Sequence, residues 1–548
     1  MKQKLIGVFV FIFLFLGFSN SGFAQSTHQV DRPKLVVGIV VDQMRWDYLY
    51  RYYDRYGNGG FKRLLNEGFT CENAFISHLP SYTAVGHATV YTGSVPAIHG
   101  ITGNDWIDQV TGRKWYCVED TTVETVGADN KNGKMSPRNL LATTVTDELR
   151  LATNFRSRVV GVSLKDRASI LPAGHAANAA FWFDDKTGHF ISSTYYMKEL
   201  PEWAQKFNKA NRPAALVAGD WNTLYPMDTY TQSTADNVEW EGIVKDEEES
   251  PVFPHRISKY YDNKKGEIRS TPFGNTLTLE FAKAALEGNR MGQGAFTDFL
   301  TINCASTDYV GHRYGPNSIE VEDTYLRLDK DLEDFFYYLD RNVGIGNYTV
   351  FLTADHGAAH SIKFMEEHNL PAGFFESKPL MKNLKAFLKS KFRTDKIVKE
   401  DLNYHVALDK ELIEKLNLDY EKVKRDIVQF LQAQPGVEFA ADIENLGKSP
   451  IPEPIKTMIA NGYNPKRAGA LIIIQDPGWF SSNGKGTTHG SWNPHDTHIP
   501  MVFMGWGIKH GRSADTYHMT DIAPTISALL HIQMPSGAVG RVVSEALK

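Results

Sequence analysis

The sequence predicts an α/β protein: a doubly wound, mostly parallel sheet with helices on both faces, interrupted by two sizeable insertions. Three observations carry this. Apolar runs rich in β-branched residues, at Lys34–Asp42 and Tyr348–Gly357, have the composition of strands covered on both faces, and further strands are expected at Arg158–Ser163 and Asp298–Cys304. Segments of helical periodicity lie between them, as strand–crossover–strand units require. Several of the runs end at Asp or His, where an α/β sheet gathers its ligands.

The chain opens with Lys2 and Lys4, an apolar run over Leu5–Phe18, and a polar stretch ending in Gly22-Phe23-Ala24. That pattern predicts a signal peptide over residues 1–24, cut after Ala24, and a periplasmic or secreted mature chain of residues 25–548. The run is short of the roughly 20 apolar residues that span a bilayer, and no cysteine follows it, so no membrane anchor is expected in the mature chain. Losing the two lysines takes the formal charge from −5 to −7. With a pI near 6.4, no basic face invites nucleic acid. Hydrophobic residues are 42% and charged residues 22% of 548, enough apolar material for one large core without extensive disorder. Cys71, Cys117 and Cys304 are too few for a disulfide framework. A Cys71–Cys117 bridge stays open in an oxidising compartment, and Cys304, inside a strand, reads as a buried thiol.

In order, the Lys34–Asp42 strand is followed by a helix over Gly60–Glu67, closed by Gly68. Pro80 and Ser81 are helix-start residues that place Thr83 at a helix N-terminus, and the Ala and Gly after it permit close packing. A helix is expected over Thr143–Asn154 and a strand over Arg158–Ser163. The first insertion, about 178–270, opens with a hairpin over Ala179–Tyr196. A helix at Asn275–Leu286 and a strand at Asp298–Cys304 resume the core. Tyr325, Leu328, Leu332, Phe335 and Leu339 recur at spacings of three and four along Ser318–Leu339, the clearest helix. The second insertion, about 373–465, is lysine-rich and helical at Leu380–Phe392 and Tyr420–Gln434. Strands at Ala468–Gln475 and Pro500–Met504 and a helix at Asp521–Leu530 follow. Because the core pattern resumes after each insertion, residues 25–548 read as one domain.

Asp42, Asp308 and Asp355 sit at strand ends, and Asp476 follows the 468–475 run. Asp355 and His356 can converge on one cation. Asp308 and His312, four apart, face the same way on a helical turn. His489 is presented by the glycine-bounded loop Gly486-Thr-Thr-His-Gly490. Singly, each has a plain structural reading, a helix cap or an ordinary surface histidine. The set in this order does not.

From about residue 34 to the C-terminus, the chain resembles the alkaline phosphatase superfamily, and within it the bacterial phosphate-irrepressible alkaline phosphatases with a threonine nucleophile. The resemblance implies an alkaline-phosphatase-like fold and two Zn2+ per chain. Asp42, Asp355 and His356 would hold one zinc, which Thr83 also binds; Asp308, His312 and His489 would hold the other. Asn104, Lys165 and Arg167 would meet the non-bridging oxygens. The implied reaction is phosphate monoester hydrolysis through a phosphothreonine at Thr83, which zinc-bound hydroxide then hydrolyses. The expected partners are small-molecule phosphate monoesters. A Lys/Arg clamp suits a doubly charged monoester, and related diesterases lack it. No third, magnesium-type ligand set is evident, and Lys165 would occupy that region. Thr83-Ala-Val-Gly-His87 lacks the sulfatase Cys/Ser-x-Pro-x-Arg pattern. His87 and His99 lie near the expected site, while His495 and His498, flanking Asp496, are read as structural or as supporting the ligands from behind, because the six implied ligands already complete two sites. Two alternatives stay open: a phosphodiesterase or nucleotide pyrophosphatase of the same superfamily, and a non-catalytic zinc- or phosphate-binding protein. The oligomeric state is not legible.

Overall fold

Nine strands build most of an eleven-stranded sheet. They are β1 (Leu35–Val41), β2 (Phe69–Phe75), β3 (Val159–Ser163), β4 (Ala179–Asp184), β5 (His189–Ser193), β6 (Asp298–Cys304), β7 (Tyr348–Thr353), β8 (Met501–Gly505) and β9 (Gly511–His518). The computed structural model describes residues 30–482 and 484–548, and the expected signal peptide lies outside them. Across the sheet the order is β2-β8-β7-β1-β6-β3-β4-β5, with β9 paired to β2. The run β7-β1-β6-β3-β4 is parallel throughout, while β8 and β5 run antiparallel beside it. Every residue of β1, β6 and β7 is buried, which is why β1 reads as an unbroken apolar run.

The helices that matter for the site are α1 (Thr83–Thr92), α2 (Asp166–Ala173), α3 (Phe273–Gly288), α4 (Ser306–Tyr314) and α5 (Ile319–Leu339). α5 follows its sequence pattern closely. The Ser318 hydroxyl accepts from Val321 N at its start, and Tyr325, Leu328, Leu332, Phe335 and Leu339 are buried along one stripe. Among the described residues no helix is long and apolar enough to cross a membrane.

Two boundaries differ from expectation. β4 pairs in parallel with β3, so the hairpin assigned to the first insertion extends the main sheet. Residues after Ser193 leave it. The run expected as a core strand at Ala468–Gln475 forms Leu471–Gln475, which pairs with His405–Leu408 and Val437–Asp442 in a separate four-stranded sheet. Its own core holds Leu384, Leu388, Val406, Ile427, Leu431 and Leu471. A strand buried on both faces looks alike in either sheet, and only its partners decide. All three cysteines are free and buried; Cys71 belongs to the main core and Cys117 to a separate apolar cluster, so no Cys71–Cys117 bridge forms.

Candidate active site

Four neighbouring parallel strands end at one edge of the sheet, and each delivers a charged group there. Asp42 directly follows β1, and Asp355 and His356 come just past β7. Beyond β6 the chain turns into α4, which carries Asp308 and His312. Beyond β3 it passes through Lys165 into α2, with Arg167 in the first turn. Thr83 is the first residue of α1, after an extended Tyr82. The helix sits hard against the end of β7 at Gly86, where a Cβ would lie 2.3 Å from the Asp355 carbonyl oxygen. Glycine is required for that approach.

These groups converge. His356 Nε2 is 3.6 Å from Asp42 Oδ1 and 3.4 Å from Asp355 Oδ2. Asp308 Oδ1 is 3.1 Å from His312 Nε2 and 3.8 Å from His489 Nε2. The His356 and His489 rings stack at 3.4 Å, joining the two clusters. In all three imidazoles Nδ1 faces a backbone carbonyl: Gly357 at 3.0 Å, Thr487 at 2.9 Å and Ser81 at 2.7 Å. Donation there fixes the tautomer and leaves the Nε2 lone pairs toward the carboxylates, the arrangement of metal-ligating histidine. His87 also comes within 3.3 Å of Asp355, but through Nδ1, which faces the Thr83 carbonyl at 2.9 Å. A nitrogen donating its proton there has no lone pair for a cation, whereas His356 turns Nε2 toward Asp42 and Asp355.

Thr83 Oγ lies between the clusters and the cationic side, 3.4 Å from His356 Nε2 and 3.5 Å from Lys165 Nζ. The Lys165 ammonium is 3.0 Å from both Asp42 oxygens and 2.6 Å from Asp308 Oδ2. Asn104 Oδ1 accepts from Ala84 N at 3.0 Å, in the first turn of α1. That contact commits the amide oxygen and turns the NH2 away as a donor. Arg167 Nη1 donates to Tyr116 Oη at 3.1 Å, and Tyr116 in turn donates to Asp166 at 2.5 Å, while Arg167 Nε has no partner. Lys165, Arg167 and Tyr116 line a cavity of about 250 Å³ with Trp182, Arg269 and Tyr309.

The electrostatics favour cations. Three buried carboxylates face one ammonium. Burial and then Asp355 push the Asp42 carboxyl well above its usual range. Burial opposes the charge on Lys165, yet Asp308 and Asp42 raise its pKa. Burial, reinforced for His489 by the neighbouring imidazoles, pushes His356 and His489 down, while at His312 burial lowers the pKa but Asp308 more than offsets it and raises it. Asp355 Oδ2 is buried without a hydrogen-bond partner. Clustered carboxylate oxygens and imidazole Nε2 atoms are a donor set that could hold a metal ion: Asp308, His312 and His489 form one such group, and Asp42 with Asp355 and His87, or with Asp308 and His356, form others.

The insertions brace this edge. Gly486 N donates to Trp240 O at 2.6 Å, and Gly242 N to Arg313 O at 2.8 Å, holding the loop of His489 against the end of α4. From the second insertion, Asn403 Nδ2 donates to Asp105 O at 2.7 Å, and Tyr404 stacks on Tyr82. Asp476 is not at the site; it ends a strand of the small sheet. His498 is sandwiched between Trp46 and Phe75, and Asp496 Oδ2 accepts from Ser491, which gives these two residues a structural job. His99 is buried beside Thr89. Sequence reasoning did not find Gln43, Asn303 or Tyr116. Asn303 Nδ2 donates to Asp42 Oδ2 at 3.1 Å from within β6. None of the three carries a local sequence signal.

The fold and site together define an α/β enzyme of the alkaline phosphatase superfamily. Residues 36–500 match the family described as Type I phosphodiesterase / nucleotide pyrophosphatase. Alkaline phosphatase PafA of Elizabethkingia meningoseptica is 56% identical over all of this chain and 99% of that protein. Alkaline phosphatase PhoV of Synechococcus elongatus is 52% identical over the full length of both. A crystal structure of wild-type alkaline phosphatase PafA superposes with a TM-score of 0.93 at 57% identity, covering 95% of this chain and all of that one. The chain belongs to the Type I phosphodiesterase / nucleotide pyrophosphatase family, and within it to the alkaline phosphatases.

Proposed function

We propose that the chain is an exported, two-zinc phosphate monoesterase that works through a phosphothreonine at Thr83. The observation that carries this is the Thr83 hydroxyl, 3.4 Å from His356 Nε2 and 3.5 Å from Lys165 Nζ, at the mouth of paired carboxylate–imidazole clusters. Asp42, Asp355 and His356 would hold one ion and Asp308, His312 and His489 the other. Bound there, the ions would supply Lewis acidity to the attacking and leaving oxygens of an in-line displacement.

The residues do the rest. Thr83 Oγ forms the bond to phosphorus as the ester P–O bond breaks and the alcohol departs with a proton. Water then attacks phosphorus, the P–Oγ bond breaks, and inorganic phosphate leaves with Thr83 restored. Its place at the N-terminus of α1 puts the developing negative charge in a favourable field. Asn104, oriented by Ala84 N, donates to a phosphoryl oxygen. Lys165 and Arg167 meet the remaining charge, Arg167 with its Nε free for the task. The family's other named activity, phosphodiester cleavage, is the second reading, and the two cations argue against it. A diester has one charge fewer for them to match.

Thr83→Ala should abolish p-nitrophenyl phosphate turnover, and acid-quenched wild-type protein should yield a phosphorylated peptide containing Thr83. Chelation should remove two zinc equivalents together with the activity, and zinc should restore it. Stronger turnover of bis-p-nitrophenyl phosphate than of the monoester would favour the second reading. Turnover unaffected by Thr83→Ala would sink both.

A further inference from the structure

Gln43 follows Asp42 with a φ of +63°, a left-handed conformation that residues with a Cβ adopt only under constraint. It is 3% exposed. From that position its backbone N–H donates to Asp355 Oδ1 at 3.2 Å, and its side-chain Nε2 donates to Asp308 Oδ1 at 2.7 Å. One residue therefore holds a carboxylate from each cluster. The turn that aims it is pinned, with Asp42 N donating to Cys304 O at 3.2 Å and the Thr307 hydroxyl to Asp42 O at 2.5 Å. Room for the amide comes from Gly311 in α4, where a Cβ would lie 2.0 Å from Gln43 Oε1.

We propose that Gln43 is a positioning residue that couples the two cation pockets, fixing the Asp308 carboxylate against that of Asp355 and so the spacing of the ions. A carboxylate is free to rotate about its Cβ–Cγ bond, and Asp308 has a competing partner in Lys165 at its other oxygen. The Gln43 amide fixes which oxygen faces His312 and His489. The left-handed backbone is the cost of reaching Asp355 and Asp308 from one residue. This inference rests on the two-ion reading of the site.

Two substitutions remove the side-chain arm and meet no backbone atom. Gln43→Gly suits φ +63° and keeps the N–H to Asp355. Gly311→Ala favours helix and leaves Gln43 present, but displaces its amide from Asp308. Zinc-loaded wild-type protein and both variants would be titrated with a competing chelator, with melting temperatures recorded. Manganese-loaded samples would be compared by EPR for coupling between the ions. Both variants should still unfold in one cooperative transition, at a melting temperature lowered by the lost buried hydrogen bond. Each should hold one ion as before and the other 10–100-fold more weakly, with the coupling signal changed. The double variant should be no worse than Gln43→Gly, because both remove the same contact. Wild-type release of both ions from both variants, or losses that multiply in the double variant, would overturn the coupling role alone. A wild-type chain that binds fewer than two ions would overturn the site reading and this inference with it.

Discussion

Lys165 is the residue whose removal most sharply tests the substrate assignment. Its ammonium is almost fully buried, 3.0 Å from Asp42 and 2.6 Å from Asp308. A monoester dianion brings one more negative charge to it than a diester does. At about 4 Å and an effective dielectric near 20, that extra charge is worth roughly 4 kcal/mol. The two carboxylates already share the ammonium, so a discount to about 3 kcal/mol is reasonable, a factor of about 10² in rate. Lys165→Ala should therefore lower kcat/KM for p-nitrophenyl phosphate by roughly 10²–10³, and for bis-p-nitrophenyl phosphate by no more than about tenfold. Zinc content should be measured on the same samples, because removing the ammonium exposes Asp42 and Asp308 to each other. Arg167→Ala should show the same selectivity. Equal losses on both esters, at full zinc occupancy, would refute the electrostatic argument.

Two further predictions concern packing and pH. Gly86→Ala places a methyl group against backbone atoms of Asp355, at 2.3 Å from its carbonyl oxygen, and backbone cannot swing aside. It should cost about 1–3 kcal/mol in denaturant unfolding and lower kcat by moving Thr83; an unchanged kcat would show that α1 does not set the nucleophile. His255 is buried, which disfavours its charge, yet Glu248 and Glu320, each 3.0 Å away, raise its pKa to about 9. A raised histidine pKa stabilises the fold fully below the unfolded value near 6.5, and the contribution is lost as pH rises through 9. The margin is about 3 kcal/mol. Wild-type protein should lose it between pH 6.5 and 9.5 in urea unfolding, whereas His255→Gln, which cannot titrate there, should not; parallel curves would dismiss the charged triad.

Much of the site was legible because its local signals are strong. An apolar run that stops at Asp42 or Asp355 announces both a buried strand and a group at its end. Asp308 and His312 share a helical turn by spacing alone, and small residues around Gly86 signal a close approach. His498 carries similar composition and is instead packed between Trp46 and Phe75, which shows how little composition decides without position. Strand partnership was the weak point. β4 and Leu471–Gln475 have the same buried character, and the sequence does not say which sheet each one joins.

By itself, then, the sequence determined the strand ends, the residue types waiting there and the helix that begins at Thr83, since these follow from local covalent geometry and hydrophobic periodicity. Only the tertiary structure decided that Asp42 meets His356 and Asp308 meets His489, that Lys165 touches carboxylates of both clusters, and that Gln43 links Asp308 to Asp355. Those contacts join segments more than a hundred residues apart. They depend on the order in which parallel strands assemble, and no nearest-neighbour rule along the chain encodes that order.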